Sequence, residues 1–376
     1  MLAALAKGRR RWRGKAPHDR PIHFVSPAMG MRPDRLGHRA DLPERYGCAF
    51  FGTGLVDRTG TLGNAGLTVL DPMPAPGEAA DLATLCAERA QALIAEAAGR
   101  PIRVLWSGGI DSTAALVSLL AAGARPEVTV SREAEREHPK LAGRLMDGRD
   151  GATPVPMRAF GGVLGGEALV VTGEHGDQLF GSMLAGLLDD AERAAPWREV
   201  LPARMRQRLG ERGHDALRPA WEALMDAAPV PITSAFEALW WANFATKWQA
   251  VKLRMLAGVS ARRRADAAPR LRHFFDTEGF QRWSLANPDL RIRRSWESYK
   301  WPLKEVIYAF DGDASYRDRK TKERSLRAQI ATGGAALAMD ADHAVWHQPR
   351  EADDLALPRA RGREGGDWTL ELDIGE

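Results

Sequence analysis

Two serines, two glycines and an aspartate fall within six residues at Ser107-Gly108-Gly109-Ile110-Asp111-Ser112, a set able to hold a polyphosphate. The glycines leave the main chain free of side-chain bulk, so its amides can face phosphate oxygens at the positive end of a following helix. Ser107 and Ser112 add hydroxyl donors, and Asp111 can hold a cation that neutralises the phosphate. No Gly-Lys-Ser/Thr follows, so the segment is not a Walker loop, and it lacks the G-x-G-x-x-G spacing of dinucleotide folds. A second cluster, Thr172-Gly173-Glu174-His175-Gly176-Asp177-Gln178-Leu179-Phe180-Gly181, again sets glycines and an acid ahead of a helix. Taken singly, each has a plainer reading: a glycine turn, or an aspartate capping a helix. Taken together, they put Asp111 and Asp177 on one edge of a sheet, facing one bound phosphate, where hard oxygen ligands suit magnesium.

Those turns need strands to carry them. The apolar run 102–106 reads as a buried strand and 114–122 as a buried helix closed by Gly123. A strand over 127–131, a charged helix over 134–146 broken near Pro139, and a third strand over 168–172 follow. A helix over 78–98 precedes them, with Leu82, Leu85, Cys86, Ala90, Leu93 and Ile94 at helical spacing. Strands alternating with helices predict an α/β fold, a parallel sheet covered on both faces that binds ligands beyond its carboxyl strand ends. Four segments are expected: an irregular strand-bearing module over 1–75, a nucleotide-binding α/β core over 76–190, a mostly helical part over 191–345, and a tail over 346–376. The tail holds a period-two run at 367–374 that reads as an edge strand.

The first motif resembles the pyrophosphate-binding loop of ATP pyrophosphatases. The pair resembles the synthetase domain of asparagine synthetase and its relatives, the beta-lactam synthetases and lasso-peptide cyclases. Their second motif reads approximately Ser-Gly-Glu-Gly-Ser-Asp-Glu-hydrophobic-Phe-Gly-Gly; Gly173, Glu174, Asp177, Phe180 and Gly181 match it, while His175, Gly176, Gln178 and Ser182 depart. Lys300-Trp301-Pro302-Leu303-Lys304-Glu305 and Tyr316-Arg317-Asp318-Arg319-Lys320 resemble the family's Lys-x-x-Leu-Arg stretch and its later Arg-x-Lys. The resemblance implies a PP-loop ATPase fold of the adenine nucleotide alpha hydrolase type. It also implies an ATP-dependent ligase, using Mg2+, that adenylates a carboxylate, releases pyrophosphate and forms an amide with an amine or ammonia. Ser107, Gly108, Gly109, Asp111, Ser112 and Gly173 would then bind ATP and pyrophosphate, Asp111 and Asp177 the metal, and Lys320 the α- and β-phosphates. Glu174 is the expected base toward the amine, with His175 as the alternative.

Two departures qualify the resemblance. The family's glutamine-hydrolysing members begin with a cysteine nucleophile in an amidotransferase domain; this chain begins Met1-Leu2, and 75 residues are too few for that domain. Nitrogen is expected from free ammonia, a substrate amine, or a separate amidotransferase or carrier partner. Gly258-Val259-Ser260-Ala261-Arg262 resembles a family Gly-Val-Glu-Ala-Arg, with Ser260 where relatives carry glutamate. Two other classes stay open: a PP-loop enzyme modifying a nucleobase or tRNA, and a non-catalytic nucleotide-binding partner subunit. The 7-cyano-7-deazaguanine synthases share the first motif but carry a zinc-binding cysteine set that is missing here.

Bulk properties narrow the rest. The 376 residues can hold two domains, or one domain with a large helical extension, and at 44% hydrophobic they suffice for a real core. Two cysteines, Cys48 and Cys86, exclude a disulfide framework and a tetracysteine zinc site, which points to a reducing cytoplasm. No apolar run reaches a membrane span, and the N-terminal apolar run is too short for a signal peptide. The net charge of +4 gathers at Arg9–Arg13, Arg262–Arg264 and 317–322. The first of these reads as a solvated arm. Trp240, Trp241 and Trp248 read as helical core rather than a base-stacking platform.

Overall fold

The computed structural model describes residues 22–25, 47, 50–51, 55–62, 69–156, 164–257, 266–322 and 345–347. Strand β1 (Ile22–Val25) comes first. Helix α1 (Leu82–Ala97) starts where the Asp81 carboxylate accepts the amides of Ala83 and Thr84, and ends where Ala98 and Gly99 turn left-handed. Strand β2 (Ile102–Leu105) leads through the serine-glycine turn into α2 (Ile110–Ala121) and then β3 (Glu127–Val130). Pro139 splits the charged segment into α3 (Arg132–Glu137) and α4 (Pro139–Met146), because a residue without an N–H is tolerated in the first turn of a helix and not inside one.

The next strand, β4 (Thr153–Pro156), was not anticipated from the sequence, since Pro154 and Pro156 argue against one. It survives at the sheet edge. Thr153 donates its N–H to the Pro126 carbonyl on the β3 side, so by alternation both prolines turn their missing donors to the open side. Strand β5 (Leu169–Thr172), α5 (Gly176–Phe180), α6 (Asp190–Ala194), α7 (Trp197–Asp226, broken at Gly210) and α8 (Ala235–Ala257) follow. A three-residue strand, β6 (Leu271–His273), then returns to the sheet from the region read as mostly helical; it is too short to show a period. Helices α9 (Glu278–Ala286), α10 (Trp301–Asp311) and α11 (Ala314–Arg319) lead to β7 (Val345–His347), which pairs antiparallel with β1.

The main sheet has five strands, all parallel, in the order β4-β3-β2-β5-β6. The chain moves outward from β2 to β4, then restarts at β5 on the other side of β2. The order therefore reverses between β2 and β5, where the crevice of an open α/β sheet opens. Apolar residues cover both faces, unequally. Ile102, Val104 and Trp106 join the large core with α1 and α2, whereas Leu105, Val170 and Leu271 meet Met255 and Leu256 of α8, together with Leu164 and Ala267. Trp240, Trp241 and Trp248 are fully buried along α8, as expected of packing residues. No helix among the described residues is long and apolar enough to cross a membrane. The run at 367–374, Ser260, and the arginines at 9–13 and 262–264 lie outside the described residues.

Candidate active site

The two glycine turns lie side by side at the carboxyl ends of β2 and β5, and they touch. A Cβ on Gly173 would sit 2.4 Å from the Ser112 amide nitrogen, and one on Gly176 would sit 2.2 Å from an Asp111 carboxylate oxygen. Gly108, at φ +78°, passes the Ala134 carbonyl in the next helix so closely that a Cβ would lie 2.6 Å from it. These glycines are required because neighbouring backbone, or for Gly176 the Asp111 carboxylate, occupies the space a side chain would need. Inside the first turn, Ser112 Oγ accepts the Ser107 amide at 3.1 Å and pairs with Ser107 Oγ at 2.9 Å, and Ser107 Oγ accepts the Gly109 amide at 3.3 Å. The turn is thus shaped by its own hydroxyls before any ligand arrives. Tyr316 on α11 clamps it from outside, its buried hydroxyl donating to the Gly108 carbonyl at 2.9 Å. The Tyr316 ring stacks on His138 at 3.9 Å, and His138 Nε2 lies 3.0 Å from Asp311.

Asp111 and Asp177 converge as the sequence suggested, with a lysine between them. Lys300 Nζ lies 2.7 and 2.5 Å from the two Asp111 oxygens and 2.6 Å from Asp177 Oδ1. Asp177 Oδ1 also accepts from the Tyr299 hydroxyl at 3.3 Å, and Asp177 Oδ2 pairs with Lys322 at 2.9 Å. Burial alone would raise the Asp177 carboxyl, but Lys300 and Lys322 outweigh it and hold the group well below the usual carboxylate range. The donor set suits a hard cation, yet an ammonium holds the shared position and all four carboxylate oxygens have protein partners. A bridging magnesium does not fit this arrangement. Lys300 is itself held rigidly: its backbone is left-handed at φ +60°, it caps α10, and its side chain is 1% exposed.

The remaining expected groups are redistributed. Lys322 lines the cavity beside the two aspartates, whereas Lys320 pairs with Glu137 at 3.2 Å. The Arg-x-Lys match had pointed to Lys320, two residues short of the lysine that reaches the aspartates. Glu174 lies at the end of β5 as expected, with one carboxylate oxygen engaged by Arg254 of α8. His175 fails as a base near neutrality. It is 1% exposed, its Nε2–H donates to the Trp248 carbonyl at 3.1 Å, and burial pushes its pKa down to about 3. Its Nδ1 is buried without a partner. Lys247 and Arg254, both from α8, line the same cavity and were not singled out from the sequence. A cation at 247 within a run of buried rings was the available signal. Cys86 is buried and its thiol is pushed up to about 12, which fits a packing role.

Among known proteins, no protein-family model matches this chain, and no curated protein matches it.

Proposed function

We propose that the chain is an ATP-dependent, amide-forming ligase built on a PP-loop type of α/β sheet. A carboxylate oxygen of the substrate attacks the α-phosphorus of ATP. The bond to the bridging oxygen breaks, and pyrophosphate leaves with that electron pair. An amine or ammonia then attacks the acyl carbon, loses a proton, and AMP departs as the amide forms. The observation that carries this reading is the interlock of the two glycine turns at the point where strand order reverses. It brings the first turn of α2 to that point, where helix-end donors would meet the charge the leaving pyrophosphate gathers, and preorganised donors lower such a barrier. Lys300 and Lys322, already placed beside Asp111 and Asp177, supply the positive charge that phosphate oxygens would meet there. No step is assigned to a metal, because the carboxylates that would hold it are already bridged. Glu174, paired with Arg254, lines the same cavity and is the base that takes the proton the amine loses.

The test is ATP–pyrophosphate exchange over a panel of carboxylic acids. Acid-dependent exchange, with AMP as the nucleotide product, is the expected result. Cleavage to ADP and phosphate, or no exchange with any acid, removes the proposal.

A further inference from the structure

Four cations line the cavity, and three of them meet a carboxylate: Lys300 on Asp111 and Asp177, Lys322 on Asp177, and Arg254 on Glu174. Lys247 is different. Among the described residues its ammonium makes no hydrogen bond or ion pair; its contact is with the ring of Phe51, 5.7 Å away. Removing a cation from water without an anion in direct contact is costly, and here burial and the nearby Arg254 lower the ammonium's pKa to about 8, with Asp177 opposing and Lys322 adding to the shift. It still carries its charge at neutral pH. The main chain around it is pinned by the second motif. Asn243, one turn earlier, donates to the Asp177 and Gly181 carbonyls at 3.0 and 2.6 Å, and His175 donates to the carbonyl of the adjacent Trp248 at 3.1 Å.

A half-buried cation on a pinned stretch of helix, with no anion in contact among the described residues, is a docking point for a ligand that brings one. The phosphate side of the cavity already has its donors in the glycine turn, Lys300 and Lys322. Lys247 instead projects from α8, the helix that also carries Arg254 toward Glu174 beyond β5. We propose that Lys247 anchors the substrate acid, holding one oxygen of the carboxylate while the other attacks ATP. This assignment rests on the ligase reading above. Its kinetic signature follows from the chemistry: the carboxylate loses its charge on becoming an acyl-adenylate. The contact therefore belongs mainly to the bound substrate, so its loss raises KM for the acid more than it lowers kcat.

Two measurements test it. In exchange assays, Lys247→Met should raise KM for the acid by about thirtyfold, the usual scale for removing one partner of a buried charge pair, with KM for ATP little changed. Lys247→Arg should restore most of the loss. Independently of turnover, competitive acetylation with acetic anhydride, read by mass spectrometry, should show Lys247 protected by at least one of benzoate, succinate and L-glutamate. Benzamide and succinamide should not protect it. Protection by α,β-methylene-ATP alone, protection by none of these probes, or a Lys247→Met effect confined to KM for ATP would each overturn the assignment. Wild-type protein that supports no exchange with any acid instead removes the ligase reading, an outcome separable from the labelling result.

Discussion

Lys300 does at the residue scale what the sequence assigned to an ion. Its ammonium lies within 2.7 Å of both Asp111 and Asp177, and without it two carboxylates would face each other in a poorly hydrated crevice. Lys300→Met should therefore destabilise the fold by about 3 kcal/mol, the scale for breaking a buried ion pair from one side. Adding Asp111→Asn should recover part of that loss, since it removes the repulsion the first change exposed. Urea unfolding of the two single variants and the double variant measures the coupling, and simple additivity would contradict it. The same cluster separates the two downstream lysines. Lys322→Ala should lower pyrophosphate exchange by about a hundredfold, roughly the cost of one lost oxyanion contact, while Lys320→Ala, removing a lysine that pairs with Glu137 rather than with the two aspartates, should cost far less. Equal losses would return the catalytic assignment to Lys320.

At the scale of elements, the site is two strand-turn-helix units pressed together with α11 as an outer brace. The interlock leaves no room for a methyl group. Gly173→Ala would press a Cβ against the Ser112 backbone and should cost about 1–3 kcal/mol, with nucleotide binding lost before the fold is. Calorimetric titration with α,β-methylene-ATP beside a melting curve distinguishes the two losses. Tyr316→Phe removes only the hydroxyl that holds the Gly108 carbonyl. A stability loss of about 1 kcal/mol is expected, together with weaker nucleotide binding, because the turn then loses one external constraint on its left-handed glycine. Unchanged nucleotide affinity in that variant would show that the turn's own hydroxyls suffice.

For the whole molecule, the buried histidines set how stability depends on pH. Burial holds His175 neutral, with a pKa of about 3, and lowers His273 as well, whereas both lie near 6.5 in an unfolded chain. Between those values the unfolded chain binds more protons than the folded one. The stabilisation is thus complete above about pH 6.5 and is lost progressively as pH falls toward the folded values. His175→Gln should reduce the slope of unfolding free energy against pH by up to about 1.4 kcal/mol per pH unit across that window. Denaturation curves from about pH 4 to 8 provide the measurement, and an unchanged slope would mean that His175 is protonated in the fold.

The sequence by itself determined what is local. The serine-glycine turn, its flanking strand and helix, the break at Pro139 and the burial of the α8 tryptophans all follow from residue order, because φ/ψ demands and apolar periodicity act over a few positions. The proximity of Asp111 and Asp177 was also legible, since parallel strands deliver their carboxyl ends to one edge. Tertiary structure alone decided which groups share that edge as partners. β4 and β6 exist because neighbouring strands accept them, one through an edge that tolerates proline and the other through pairing with β5. Lys300 arrives from 189 residues away to take the position between the carboxylates, Arg254 occupies Glu174, and burial takes the proton from His175. Charge pairing and desolvation depend on what surrounds a side chain in space, and that environment forms only when distant segments pack.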